Sequence, residues 1–355
     1  MVHANNFVVQ RCESRIVFAA GCAAQIGQEA ERIGASRILV VCSPGRVAMA
    51  STVANRLGQR IVGTLPIAAA HVPLDVVQRA LAECERTRAD ALLAFGGGSA
   101  LGLGKAIAAE RPLKLLAVPT TYSGSEMTDI YGVTAGGHKR TSRSDQSRPA
   151  LVLYDAELTL DLPLSASIAS LWNAMAHCVQ TLWWPQADPV ALLAAEHGLR
   201  TIAEVMPLLC TEPTQLGTRE RAMVGAYLAG VALSETGMGL QHELAHLLGG
   251  SYGLSHAATH AALLPHVVRY NAEAAPIAAS IIARALSAKN AADALRTLAL
   301  RVGAPTSLAA LGFSPAQIDT AIDKLLTLPI LNPRPLQRAP LQALLTAAHY
   351  GKGYS

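Results

Sequence analysis

Short apolar runs alternate with helix-period stretches through the first half of the chain. Residues 37–42, RILVVC, form an apolar run closed by Ser43-Pro44-Gly45, which reads as a buried strand and its turn. An amphipathic pattern over Val47–Leu57 predicts a helix, Arg60–Leu65 a second strand, and Val76–Arg88 a further helix. Residues 89–95 lead into Gly96-Gly97-Gly98-Ser99, and Leu113–Pro119 and Ala150–Tyr154 are two more apolar runs. Strands alternating with helices of ~12 residues predict a mainly parallel sheet covered on both faces. From about Leu164 the period changes. Ile168–Trp183, Val190–Cys210, Gln215–Leu233 and Ala275–Leu286 have helical spacing, and β-branched runs become scarce. Pro265 is expected to start or kink a helix, and 340–348 to form the last one. The expected architecture is an α/β dinucleotide-binding domain over 1–160 and an all-helical catalytic domain over 161–355, with the junction near Asp155–Ser165.

Composition narrows the class. A length of 355 residues, half of them apolar, suits two sizeable cores. The net charge of +4 is scattered, so no nucleic-acid partner is expected; Lys139-Arg140-Thr141-Ser142-Arg143 is a local basic patch that reads equally as a solvated loop or an anion site. No apolar run reaches the ~18 residues of a membrane span. The first ten residues lack the layout of a signal peptide. Six cysteines without C-x-x-C spacing read as small buried hydrophobes of a reducing compartment, and the cytoplasm is the expected location.

Two turns after predicted strands suit an anionic cofactor. Gly96–Glu110 places a glycine turn between a strand and a helix, where the backbone approaches closely and the helix end offers N–H groups to a phosphate. Pro119–Asp129, PTTYSGSEMTD, is a hydroxyl-rich turn directly after a strand. Together they predict a dinucleotide pyrophosphate site. The glycine turn is not a Walker loop, which disfavours an NTPase. The first strand ends in Cys42-Ser43-Pro44-Gly45 with no carboxylate to select a free ribose hydroxyl, so NADPH should serve as well as NADH.

The densest chemistry lies between Met238 and Asn271. His242, His246, His256, His260 and His266 fall in an almost uncharged stretch, two pairs at i,i+4 spacing separated by Gly249-Gly250. A single such histidine is more often satisfied in a core; two pairs in one apolar stretch point to an active site. Asn173 and His177 share one face of an earlier helix, and with His242 and His256 make a possible four-point cluster.

These motifs, GGGSALGLGKAIA, PTTYSGSEMTDIYG, NAMAH and HELAHLLGGSYGLSHAATHAALLPHVVRYN, resemble the iron-containing (group III) alcohol dehydrogenase family, and most of all its maleylacetate reductase branch. The resemblance covers nearly the whole chain. It implies an α/β nucleotide domain followed by a helical domain. Gly97, Gly98 and Ser99 match the turn that holds the pyrophosphate; Thr120, Thr121 and Ser123 match the second cofactor loop, and Lys139 falls near the nucleotide lysine. Ser43 joins these as a candidate cofactor residue at the end of the first strand. Asn173, His177, His242 and His256 align with the four metal ligands, and His246 with the neighbouring active-site histidine.

Two departures stand out. Asn173 replaces an aspartate ligand, and Gly102 stands where an acid usually follows the glycine turn. Three histidines alone can bind zinc. The branch, however, is understood to work without metal, so the expectation is NADH or NADPH with no metal required. The implied reaction is reduction of the C=C bond of maleylacetate, a small dianionic keto acid, to 3-oxoadipate in aromatic-compound catabolism. In it His242 and His256 would contact the enone oxygen or a carboxylate, His246 would be the candidate acid, and His177 would shape the cluster. The resemblance also implies a homodimer. The alternative reading is a metal-dependent alcohol or glycerol dehydrogenase of the same family.

Overall fold

The computed structural model describes residues 14–136 and 138–351, without the side chains of His138 and Lys139. Two compact units emerge: residues 14–162 together with Thr214–Met223, and Pro163–Pro213 together with 224–351.

The first unit is built on β1 (Arg15–Phe18), β2 (Ile38–Val41), β3 (Ile61–Leu65), β4 (Ala91–Gly96), β5 (Lys114–Pro119) and β8 (Leu151–Tyr154), all parallel, in the order β1-β8-β5-β4-β2-β3. Strands β2, β4 and β8 are buried along their whole length, and β5 is buried after its first residue. A strand covered on both faces has no solvent side to alternate toward, which is why these runs are continuously apolar. Helices α1 (Ile26–Arg32), α2 (Val47–Ala54), α3 (Leu74–Thr87) and α4 (Gly98–Glu110) connect the strands. Ile26, Val40, Phe95, Leu116 and Leu153 meet in the core on one side.

Two elements differ from the sequence expectation. β1 is an edge strand paired with β8 and half-exposed, so its short RIVF run carries little pattern. The stretch after β5 is not a plain loop: β6 (Ile130–Ala135) and β7 (His138–Arg143) form an antiparallel hairpin that includes the basic patch. The polar, exposed residues 140–143 of β7 and β6, half-buried up to its last residue, show no two-residue period.

The second unit is helical throughout its described residues: α5 (Leu164–Leu182), α6 (Pro189–Thr211), the later turns of α7 (Leu216–Ser234), α8 (Leu240–Tyr252), α9 (His256–Asn271), α10 (Pro276–Ala285), α11 (Ala291–Arg301), α12 (Ile318–Leu326) and α13 (Arg338–Tyr350). The sequence marks some starts clearly. Asp188 Oδ1 accepts from the N–H groups of Val190 and Ala191, and Pro189 occupies the first helical position, where no N–H is needed. Other punctuation is overridden. α9 runs through Pro265 instead of starting there, because the buried faces on either side hold the turn. α8 likewise continues through Gly249-Gly250 and ends at Gly253, whose φ of 72° is the left-handed cap.

Candidate active site

In the sheet-bearing unit, β4 ends at Gly96, where φ is 138°, and Gly97 begins the turn into α4. A Cβ on Gly97 would lie 2.7 Å from Thr121 Cγ2, so the absent side chain lets the turn after β4 touch the turn after β5. The Thr120 N–H donates to Gly96 O at 3.0 Å, closing the same junction. Gly98 is exposed, and a Cβ there would meet nothing within 4 Å. No side chain caps α4 or places an acid in its first turn. The arrangement offers backbone donors and the positive end of a helix dipole to an anion. Ser99, Thr121 and Ser123 are half-buried beside it, whereas Thr120 is buried. Ser43 lies two residues past the end of β2, the neighbour of β4, and is half-buried. Lys139 lies on β7, and its side chain is outside the described part. Gly102 has its own reason: a Cβ there would sit 2.8 Å from Val72 Cγ2, leaving no room for an acid unless Val72 shifts.

Beneath these turns lies Lys105, which is 1% exposed. Its ammonium donates to Ser125 O and Thr128 Oγ1, each at 2.8 Å. Arg148 donates to Met127 O, and the Tyr154 hydroxyl donates to buried Glu126. The turn 123–129 is thus fastened from α4 and β8 and by Arg148. Burial lowers the Lys105 pKa to about 7, against the pull of Glu126 and Asp129, and burial raises that of Glu126. Lys105 therefore has no route to a substrate carboxylate. Arg269 pairs with Asp293, Arg334 stacks on the Tyr270 ring at 4.6 Å, and the buried Tyr122 hydroxyl bonds Thr159.

The helical unit gathers the histidines. α8 starts at Gly239, where a Cβ would lie 2.3 Å from the Gln180 amide of α5; lacking it, α8 begins close against α5. The His177 and His242 rings then stack at 4.9 Å with 18° between planes. His242 meets His260 at 4.9 Å, His260 meets His256 edge-on at 4.8 Å, and His256 stacks on His246 at 5.0 Å. Five imidazoles from three helices form one continuous string. The four expected histidines are all in it, and Asn173 is half-buried one turn before His177 on α5. His266 is buried apart from the string, its pKa lowered to about 4 by burial and two arginines. His260 and Gln241 were not among the expected site residues. Burial first, then the four neighbouring rings, hold His260 well below its ordinary pKa. Its i,i+4 spacing from His256 was the available signal; Gln241 carried none.

A parallel sheet with a glycine turn at a strand's carboxyl end, and a separate helical unit carrying a histidine string, define a class: NAD(P)H-dependent oxidoreductases. Models of the iron-containing alcohol dehydrogenase family match residues 13–156, and its C-terminal part matches 167–349. The chain belongs to that family. It is 44% identical to the maleylacetate reductase of Burkholderia cepacia over 98% of this chain and 99% of that one. Crystal structures of maleylacetate reductases superpose closely: that from Agrobacterium tumefaciens with a TM-score of 0.93 and 41% identity, covering 98% of this chain and 99% of its own. That from a Rhizobium species gives 0.93 and 40% over the same shares.

Membership corrects one expectation. The reading that no metal is required does not stand: both matching models describe the iron-containing family. The physical reason is in the donor set, since His177, His242 and His256 offer three imidazole nitrogens, and such a set can hold a divalent cation without a carboxylate at position 173. Donor chemistry therefore fits a metal. Among the described residues no three His, Cys, Asp or Glu side chains stand together as a ligand group.

Proposed function

We propose that this chain reduces the C=C bond of maleylacetate to 3-oxoadipate with NADH or NADPH. The observation that carries this is the string of five imidazoles with an amide, Asn173, at the carboxylate position; the maleylacetate reductases at around 40% identity support it. Gly97, Gly98 and Ser99 receive the pyrophosphate at the start of α4, with Thr120, Thr121 and Ser123 on the adjoining turn, and Ser43 and Lys139 toward the nucleotide. When bound there, a reduced nicotinamide would supply the hydride that the alkene carbon beta to the ketone accepts. Negative charge then develops on the ketone oxygen, and the neighbouring carbon takes a proton. His242 and His256 meet the enone oxygen or a carboxylate, His246 is the candidate acid, and His177 shapes the string. Imidazole N–H groups suit a dianion better than a carboxylate would. His177, His242 and His256 would hold the metal, which supplies Lewis-acid stabilisation of developing negative charge when bound.

No helix among the described residues is long and apolar enough to cross a membrane. The enzyme is proposed to work in the cytoplasm as a homodimer on a small dianionic keto acid. The test is coenzyme oxidation with freshly generated maleylacetate, against simple aldehydes and glycerol-type alcohols. Maleylacetate is expected to be the substrate turned over; turnover confined to the aldehydes or alcohols overturns the reading. With no carboxylate in the Ser43-Pro44-Gly45 turn, NADPH should support a kcat/KM within about tenfold of that with NADH. Steady-state kinetics with each coenzyme checks this.

A further inference from the structure

The histidine string has an order that its hydrogen bonds impose. Gln241 is buried on α8, and its amide lies 3.1 Å from His260 Nδ1 and 3.4 Å from the His260 carbonyl oxygen, through the same amide atom. A carbonyl oxygen only accepts, so the atom facing it is the amide nitrogen, and the Gln241 orientation follows from the contact itself. An amide N–H pointing at Nδ1 requires that nitrogen to accept. With Nδ1 accepting, the His260 ring's N–H is on Nε2. That atom lies 3.3 Å from His256 Nε2, so His260 donates and His256 accepts. With its Nε2 accepting, His256 carries its proton on Nδ1.

We infer that Gln241 and His260 are positioning residues that set the tautomer of His256 by a one-way chain of hydrogen bonds, so that His256 presents Nδ1 as a donor and keeps Nε2 as its lone-pair nitrogen. Neither residue touches the substrate. They act through His256, as the outer partners of a ligating or catalytic histidine commonly do. A cation held at His256 Nε2 needs the same tautomer, with the proton on Nδ1. The chain therefore prepares His256 for a metal, while the His260 N–H competes for the lone pair the metal would use.

The experiment is ring-nitrogen NMR on the full-length enzyme with 15N-labelled histidine, both as purified and after loading with Zn²⁺. The His256 and His260 signals are identified by their loss in His256→Gln and His260→Gln. In the wild-type enzyme we expect His260 protonated at Nε2 and His256 at Nδ1, with or without zinc. The Gln241→Glu carboxylate only accepts, so it should reverse both rings in the zinc-free enzyme, to Nδ1–H on His260 and Nε2–H on His256. Gln241→Leu, which offers neither a donor nor an acceptor, should remove the preference of His260. A wild-type His256 protonated at Nε2, or a pattern unmoved by Gln241→Glu, overturns the inference. If Gln241→Glu does not fold, the wild-type pattern and Gln241→Leu decide it. A kinetic arm rests on the proposed function: kcat with maleylacetate should fall about tenfold or more in Gln241→Glu with the NADH KM unchanged. If the NMR pattern holds and maleylacetate is not turned over, the functional reading fails and the tautomer chain stands.

Discussion

Replacing His242 by alanine should lower kcat/KM for maleylacetate by ~10²-fold or more, the size of a lost acid, oxyanion or metal-ligand contact. His242 is 1% exposed and sits between the His177 and His260 rings, so it is the joint of the string. The loss should fall mainly on kcat, with NADH affinity within threefold or so of wild type, because the cofactor turns belong to the other unit. The same variant should retain less iron or zinc after gel filtration, measured by elemental analysis. A kcat/KM change of less than about threefold would remove His242 from the mechanism. Thermal melting separates this effect from unfolding.

Lys105→Met should act at the other unit and through pH. Burial lowers the lysine pKa to about 7 in the folded state, against an ordinary value of 10.5. Between those limits the unfolded chain binds the extra proton and the native protein does not, so stability rises with pH at up to ~1.4 kcal/mol per unit. The contribution is fully present above the unfolded value and is lost as pH falls through about 7. Methionine keeps the length and removes the titration. The difference in unfolding free energy between wild type and Lys105→Met should therefore shift in favour of the wild type from pH 7 upward, read by denaturant titration at several pH values. A difference flat across that range would show that the lysine keeps its ordinary pKa. The variant also loses the donor that fastens Ser125 O and Thr128 Oγ1, so NADH should bind about tenfold more weakly while the maleylacetate KM changes less.

Much of the architecture was legible in the sequence because burial on both sides leaves an unbroken apolar run. ILVV, ALLAFG and LVLY could be read as strands without any partner in view. The glycine turn and the i,i+4 histidines were equally local signals. What escaped depended on distant partners. β1 owes its strand character to pairing with β8, and polar β7 to its ladder with half-buried β6. The burial of Lys105 rests on Ser125 and Thr128, twenty and more positions later, accepting from its ammonium. Gly249-Gly250 and Pro265 looked like breaks, yet the packed helices run through them. His260 was visible as spacing, but its role depends on Gln241, nineteen positions earlier and on another helix. The expectation of no metal came from the resemblance to a branch understood to work without one, with Asn173 as its sign, and the match to the iron-containing family overturns it.

The ten residues Thr214–Met223 belong with the sheet-bearing unit, so the backbone enters that unit twice. Arg219, 1% exposed, donates to the Tyr122 hydroxyl and to the carbonyls of Leu160 and Leu162. A fragment ending near residue 160 would lack that guanidinium and leave a buried phenol with one donor fewer. The nucleotide half is therefore not a detachable module that could be cut out at the end of its last strand and grafted elsewhere. It is a discontinuous body, and circular permutation or fragment complementation would have to carry the 214–223 segment along with it.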